Sequence, residues 1–227
     1  MRVMDKDRPS AQSKTRGPEP HAGPDGLAGP GPGGLKLRSM GAAGDYLQGS
    51  LLIATPSIGD GRFERTVLLV CVHDDQQAMA LVLNRPAAGL KVPALLRRLG
   101  FDGDAPNAPV LIGGPVERER GYVLHSDDYT ASHSTLDVAP GLALTDTREV
   151  LDALGDPGRR PRRFLLALGY AGWGAGQLEN EIRQGAWLTC EPDESLVFGR
   201  DFDGRWGAAM GKIGVRPERL SAYAGRA

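Results

Sequence analysis

The glycine-rich stretch GYAGWGAGQLENE, at 169–181, is the part of the chain that most resembles a ligand-binding loop. It joins the apolar run FLLAL to an acidic segment, and glycine-rich turns between a strand and a helix often bind phosphate. A P-loop requires Lys and then Ser or Thr after its last glycine, and neither is present here. The third glycine of the dinucleotide-binding pattern falls on Gln177 or Glu179. Because both patterns are incomplete, we predict no cofactor.

The segment after these glycines carries its own negative charge. Glu179 and Glu181 lie in the first turns of a predicted helix, where the helix dipole favours a carboxylate by roughly 0.3–1 kcal/mol. The same carboxylates would repel a phosphate. We interpret the glycines as residues that permit positive φ angles and close backbone packing. On the outer face of the helix, we expect Glu179 to pair with Arg183.

Trp173 and Gln177, in the same stretch, are candidates for binding an unidentified ligand or protein partner. An exposed Trp beside a glycine turn would offer a contact surface, whereas a buried Trp would belong to the core. The sequence leaves both interpretations open.

The tripeptide NRP at 84–86 supplies two more candidate binding residues, Asn84 and Arg85. The proline favours an extended conformation for Arg85 at the end of a predicted strand. The Arg85 guanidinium could bind a carboxylate or phosphate through two parallel N–H groups, or pair with a structural carboxylate such as Glu117. Gly113 and Gly114, in GGPV, would either present free backbone amides nearby or form a tight turn. We expect these residues, His125 and the 173–177 segment to converge on one surface.

The histidines and cysteines do not form a recognisable catalytic or metal-binding pattern. His125 is followed by Ser and Asp, but neighbouring strand residues point to opposite faces, so these three do not form a catalytic triad. We interpret His125 as a hydrogen-bonded residue of the sheet, since a metal site would require it to meet His73 and an Asp. Cys71 and Cys190 are predicted to be buried, reduced thiols. We therefore assign no catalytic or metal-binding residue.

Composition divides the chain into two parts. Residues 1–44 hold nine of the 32 glycines and six of the 17 prolines, with almost no bulky apolar side chains, which predicts a disordered Gly/Pro-rich tail. The tail has a net charge of +3, so the remainder has a net charge of −4. We expect 45–227 to be a single domain. Its acidic balance argues against nucleic-acid binding, because proteins that bind nucleic acid normally present a basic face.

The location of the protein is predicted from the absence of targeting signals. The chain starts without the apolar core of a secretory signal peptide, and no segment approaches the 18 or so apolar residues of a membrane span. We therefore expect a cytoplasmic protein that does not bind membranes. The oligomeric state is not predicted.

Apolar runs and helical spacings alternate irregularly along 45–227. Runs such as LLIA, VLLVCVH, AMALVL and FLLAL predict strands, several joined as hairpins, and VPALLRRLG and TREVLDALG predict single helices between them. Without a regular strand–helix alternation, the pattern predicts the α+β class rather than a doubly wound parallel sheet.

Five segments in order resemble the YqgE/AlgH family of bacterial proteins: GSLLIATP, LVLNRP, LIGGPV, GYVLHS and GYAGWGAGQLENEIRQGAWL. The resemblance covers 47 to about 213. It implies an α+β domain in which a mixed, mostly antiparallel curved sheet closes into a pseudo-barrel flanked by helices. The family has no established enzymatic activity, and one branch is described as a transcriptional regulator of alginate synthesis.

These observations favour a non-catalytic binding or regulatory module over two alternatives. A hydrolase would need a pocket with a nucleophile or metal within reach of a base. A transcriptional regulator that binds DNA would need a basic face, and the sequence contains no helix-turn-helix pattern.

Overall fold

The computed structural model describes residues 46–131, 134–216 and 220, so the predicted tail at 1–44 lies outside the described residues. The elements, in chain order, are β1 (Leu51–Ala54), a 3₁₀ helix (Gly61–Phe63), β2 (Val67–His73), β3 (Gln77–Val82), β4 (Pro86–Lys91), α1 (Val92–Arg98), β5 (Pro109–Ile112), β6 (Val116–Ser126), β7 (Thr135–Ala139), β8 (Leu142–Thr145), α2 (Arg148–Leu154), β9 (Phe164–Gly174), α3 (Gln177–Arg183), β10 (Trp187–Cys190), α4 (Glu194–Phe198) and α5 (Arg205–Lys212).

The strands form one curled sheet, a half-barrel flanked by the five α-helices of the described residues, which confirms the predicted α+β class. The strand order is β10-β1-β2-β3-β9-β6-β8-β7, and β5 with its partner β4 joins beside β9. All strand pairs are antiparallel except β5–β9. The sheet is therefore mixed and mostly antiparallel.

Both faces of the central strands are covered, as their unbroken apolar sequences predict. On β1, Leu51 and Ile53 belong to one apolar cluster, whereas Leu52 and Ala54 belong to a second cluster on the other face. Helices α4 and α5 cover the first face, and α3 packs on the second. Helices α1 and α2 contribute to a third cluster. Among the described residues, no helix is both long enough and apolar enough to cross a membrane.

Gly113, Gly114 and Gly169 allow the link between β5 and β6 to cross over β9. The segment β5 pairs with Leu166–Leu168 on one edge of β9, and β6 pairs with the same residues on the other edge. Only 113–115 connects the two strands, so this link passes directly over β9. A Cβ at Gly113 would lie 2.2 Å from the Gly169 carbonyl oxygen, and one at Gly114 would lie 2.0 Å from the Tyr170 carbonyl carbon. Side chains are therefore excluded at positions 113 and 114 of this crossing.

The structure differs from the predicted elements in two places. The stretch expected to be a glycine loop remains in β9 as far as Gly174, because Ala171–Gly174 pair with β3, and only Ala175 and Gly176 form the turn. Strand β4 was not predicted, since its sequence PAAGLK has no strand pattern and it lies exposed beside β5. The interpretation of the glycines is confirmed for Gly169 and Gly176, which have φ angles of 72° and 69°, whereas Gly172 and Gly174 do not have positive φ angles.

Candidate functional site

The structure places the predicted site residues in three regions rather than one. Asn84, Arg85, Gly113 and Gly114 lie together, since the amide of Ile112 donates to the Arg85 carbonyl oxygen over 2.7 Å. Trp173 and Gln177 lie farther along, at the junction of β9 and α3. His125 pairs with Phe164 at the opposite end of β9, nine residues before Trp173, or roughly 30 Å away along the strand. A single convergent surface is therefore not formed.

Trp173 is fully buried, and its indole is part of a hydrogen-bonded cluster around Glu181. The Glu181 carboxylate accepts bonds from Trp173 Nε1 (2.9 Å), Trp187 Nε1 (2.8 Å) and Gln177 Nε2 (3.1 Å). The Gln177 side-chain oxygen also accepts a bond from the Gly174 amide. The contacts of Trp173 and Gln177 are thus internal, and the negative charge at the start of α3 is used to hold two buried indoles.

His125 is fully buried in a chain of hydrogen bonds with a single direction. Its Nδ1 lies 2.8 Å from the Ser126 carbonyl oxygen, which can only accept, so Nδ1 carries the proton. Nε2 of the neutral ring then accepts from the Thr145 hydroxyl (2.9 Å), which accepts from Thr135 (2.8 Å), which accepts from the Ala131 amide (2.9 Å). Burial lowers the pKa of His125, which favours this neutral form. The ring therefore has the structural role that the sequence favoured.

His73 connects the start of the described chain to α3. The Leu47 amide donates to His73 Nδ1 over 2.9 Å, so the proton of the neutral ring is on Nε2, which donates to Glu179 Oε1 over 2.8 Å. The predicted side-chain pair between Glu179 and Arg183 is wrong. Arg183 instead bonds the Glu179 carbonyl oxygen and the side chain of Asn180. The Glu179 carboxylate accepts instead from His73, which lies at the end of β2.

Arg85 is exposed and donates to the backbone carbonyl oxygen of Glu64. The alternative in which Arg85 pairs with Glu117 is wrong, because the Glu117 carboxylate accepts from Arg120 Nη1 over 3.1 Å. Arg85 therefore contacts the turn before β2.

In that turn, Asn84 holds Arg65 in a backbone conformation that non-glycine residues rarely adopt. Arg65 has a φ angle of 53°. The buried Asn84 side chain donates from Nδ2 to the Arg65 carbonyl oxygen (2.9 Å) and accepts from the Val67 amide at Oδ1 (2.9 Å). Such strain costs of order 1–3 kcal/mol, persists only where the surroundings impose it, and is enriched at functional sites.

A pocket of about 460 Å³ opens beside this strained residue. We call it the Arg65–Trp206 pocket, and it is lined by Thr55, Pro56, Ile58, Gly61, Glu64, Arg65 and Trp206. The Arg65 guanidinium carbon lies 4.9 Å from the centre of the Trp206 ring, a cation–π contact. Within the described part of the chain, neither the Arg65 guanidinium nor the Glu64 carboxylate has a hydrogen-bond or ion-pair partner.

The walls of this pocket are fixed by helix α5 and by the 55–66 turn. Trp206 Nε1 donates to the Ala54 carbonyl oxygen over 2.8 Å, and the neighbouring buried Arg205 donates to the carbonyl oxygens of Leu83 and Gly199. Burial lowers the pKa of Arg205 to about 10, so it remains a cation at neutral pH. On the other side, the Thr55 hydroxyl donates to the Gly185 carbonyl oxygen over 2.7 Å. These hydrogen bonds hold both walls of the pocket in place.

A second pocket, of about 450 Å³, lies between the ends of β6 and β8 and helix α4. Its charged groups are largely satisfied within the protein. Arg162 pairs with Asp128, Arg163 with Glu194, and Asp193 with Lys212. Charged groups that are already paired contribute less to ligand binding than unpaired ones, so the Arg65–Trp206 pocket is the better candidate site.

The structure also shows how the potential metal-binding side chains and the two cysteines are placed. In 46–131, 134–216 and 220, no group of three His, Cys, Asp or Glu side chains is arranged to hold a metal ion. Cys71 is fully buried, as predicted, and burial raises its thiol pKa to about 12, whereas Cys190 is only partly buried. Both cysteines are free.

The most basic stretch of the described chain, GRRPRR at 158–163, does not form an open cationic surface. Arg159 pairs with Asp152 and Asp156, and Arg162 and Arg163 also have acidic partners. These three arginines are thus paired with carboxylates, whereas Arg160 donates to the backbone carbonyl oxygen of Asp104.

Sequence reasoning identified one wall of the candidate pocket only indirectly. Asn84 and Arg85 were singled out, and they contact the turn that forms the pocket. Arg65 and Trp206 were not, because they are far apart in the chain and no spacing rule links them. The only available signal was the mixture of charged and aromatic residues in GDGRFER, a segment otherwise rich in turn residues.

Comparison with known proteins gives consistent matches. The family model described as DUF179, AlgH-like, matches residues 51–218. A UPF0301 protein of Caulobacter vibrioides (strain NA1000 / CB15N) is 55% identical over 186 residues, which is 81% of this chain and 95% of that protein. A UPF0301 protein of Afipia carboxidovorans is 45% identical over 203 residues, with coverages of 86% and 96%.

Two solved structures share the fold. The solution structure of the AlgH protein from Pseudomonas aeruginosa matches with a TM-score of 0.65 and 38% identity, and covers 83% of this chain and 100% of that one. A crystal structure of a protein from Corynebacterium diphtheriae matches with a TM-score of 0.59 and 22% identity, with coverages of 82% and 95%. The second likeness concerns the fold alone.

Proposed function

The chain belongs to the AlgH-like family, and from that premise we propose that it is a non-catalytic, cytoplasmic binding module that holds a small ligand in the Arg65–Trp206 pocket. The observation that carries this proposal is the strained φ angle of 53° at Arg65, held by Asn84 at the edge of the pocket. A pocket whose walls are already held in place loses little conformational entropy when a ligand binds, which favours recognition of a ligand.

The arrangement of the other reactive groups supports a binding role rather than catalysis. The His125 ring nitrogens are both engaged in structural hydrogen bonds, and the Ser126 hydroxyl donates to Asp128. The His125 ring and the Ser126 hydroxyl therefore do not form the nucleophile–base pair that acyl-transfer enzymes use. A regulatory role would follow if ligand binding altered a contact with a partner. Free cysteines are consistent with a reducing compartment.

A thermal-shift screen of the full chain tests the proposal. The panel contains divalent metals, ATP, NAD, inorganic phosphate, amino acids and organic acids, each added singly. A compound at 100 times its dissociation constant stabilises the folded state by about 2.7 kcal/mol. We expect at least one compound to raise the melting temperature by several degrees.

Two glycine variants assign any shift to the pocket. Gly61 lines the pocket, and a Cβ added there would clash with nothing, so Gly61→Leu adds a bulky side chain at the pocket wall without strain and should abolish the shift. A Cβ added at Gly59 would also meet open space, but Gly59 does not line the pocket, so Gly59→Leu should retain the shift. A shift that persists in Gly61→Leu, or a panel without any shift, would contradict the proposal.

A further inference from the structure

We propose that the ligand of the Arg65–Trp206 pocket is a zwitterion, a free α-amino acid with an apolar side chain. This inference rests on the proposed function and names the class of ligand. Glu64 and Arg65 are consecutive residues of opposite charge, both line the pocket, and both are exposed. Among described residues, neither charged group has an ion-pair or hydrogen-bond partner.

Adjacent opposite charges select a ligand that also carries both. A guanidinium binds a carboxylate through two parallel N–H donors, and a carboxylate accepts from an ammonium group. A simple anion would be attracted by Arg65 and repelled by Glu64, and a simple amine would meet the reverse. Both charged residues line the same pocket, so a ligand that carries an ammonium and a carboxylate meets a partner for each.

Arg65 is oriented for this role by two independent contacts. Its carbonyl oxygen is held by Asn84, and its guanidinium is held over the Trp206 ring at 4.9 Å. The cation–π contact involves no hydrogen-bond acceptor, so it does not satisfy the N–H donors of the Arg65 guanidinium. In the part of the chain that the structure describes, these donors have no protein acceptor.

The remainder of the pocket suits an apolar side chain. Pro56, Ile58 and the Trp206 ring contribute its apolar lining. Its volume of about 460 Å³ lies in the range of about 300–1,000 Å³ that is typical of small-molecule sites. An amino acid such as leucine therefore has both charged partners and an apolar surface within one cavity.

The test compares leucine with two analogues of similar skeleton, using calorimetric titration of the full chain. Isocaproate lacks the ammonium group, and isoamylamine lacks the carboxylate. We expect leucine to bind at least tenfold more tightly than either. Isocaproate or isoamylamine binding as tightly as leucine would overturn the inference, and this comparison needs no variant.

Substitutions of Glu64 and of Arg65 then test which charged group of the ligand each side chain binds. Glu64→Gln should remove the preference for leucine over isocaproate, and Arg65→Asn should remove the preference over isoamylamine. Asn is chosen because it tolerates the positive φ angle at this position. Glu119→Gln, at an exposed site outside the pocket, should leave both preferences unchanged. Preferences that survive at both pocket positions would overturn the assignment.

Failure of this inference can be distinguished from failure of the proposed function. If leucine does not bind but another compound of the panel gives a shift that Gly61→Leu abolishes, the zwitterion is wrong and the pocket remains a binding site. If no compound gives a Gly61-dependent shift, both are wrong.

Discussion

Asn84 fixes the backbone of Arg65: its Nδ2 donates to the Arg65 carbonyl oxygen over 2.9 Å, while Arg65 has a φ angle of 53°. The same side chain accepts from the Val67 amide at Oδ1, so one buried amide group joins the end of β3 to the turn before β2. The candidate pocket depends on this link.

We expect Asn84→Ala to lower the free energy of unfolding by about 2–3 kcal/mol, because two hydrogen bonds are lost and the buried Val67 amide is left without a partner. Urea unfolding followed by circular dichroism measures the change. Asn180→Ala is the control, since Asn180 is exposed and its side chain accepts from Arg183, and its effect should stay within about 0.5 kcal/mol. Equal losses in the two variants would contradict the role given to Asn84.

The fold was largely predictable from the sequence, whereas the candidate site was not. The apolar runs around Cys71 and Met79 predicted paired central strands, because strands buried on both faces leave an unbroken apolar pattern. Strand β4 left no such pattern, since it is exposed and pairs only with β5. The contact between Arg65 and Trp206 depends on how α5 docks on the sheet, and tertiary docking has no local sequence signal.

The glycine crossing over β9 gives the second prediction. Gly114→Ala should lower the free energy of unfolding by more than about 3 kcal/mol or prevent folding, because the new Cβ would lie 2.0 Å from backbone of Tyr170 and backbone cannot move aside cheaply. The control is Gly121→Ala in β6, where the nearest atom would lie at an ordinary 3.8 Å. Thermal unfolding of both variants provides the measurement. A well-folded Gly114→Ala with unchanged stability would show that 113–115 does not cross β9 as described.

The Glu181 cluster gives the third prediction. Removing this carboxylate in Glu181→Ala leaves the Trp173 and Trp187 indole N–H groups without their acceptor. Hydrogen bonds to a charged group contribute about 1.5–3 kcal/mol each, so we expect the loss of two of them to cost about 3–6 kcal/mol, together with a change in native tryptophan fluorescence. Exposed Glu119 serves as the comparison, and Glu119→Ala should alter neither quantity. If the emission spectrum and the urea midpoint of Glu181→Ala match those of the wild type, the cluster is not a determinant of stability.

The fourth prediction concerns pH and the start of helix α4. Asp193 caps this helix by accepting from the Leu196 amide over 2.9 Å, and the hydrogen bond from Lys212 is the main cause that lowers its pKa to about 2. A carboxyl pKa that is lower in the folded state than in the unfolded state contributes stability above about pH 4, and this contribution is lost as the pH falls towards 2. Because the pair with Lys212 is partly exposed, solvent screening limits its contribution, and the capping bond to the Leu196 amide adds to it.

Asp193→Ala should therefore lower the free energy of unfolding by about 1 kcal/mol at pH 6 and by less at pH 3, measured from urea midpoints at both pH values. Asp203→Ala is the matched control, since Asp203 is an exposed carboxylate of the same region that does not cap a helix. It should change stability little at either pH. A difference between Asp193→Ala and the wild type that stays constant from pH 6 to pH 3 would show that ionisation of Asp193 does not stabilise α4.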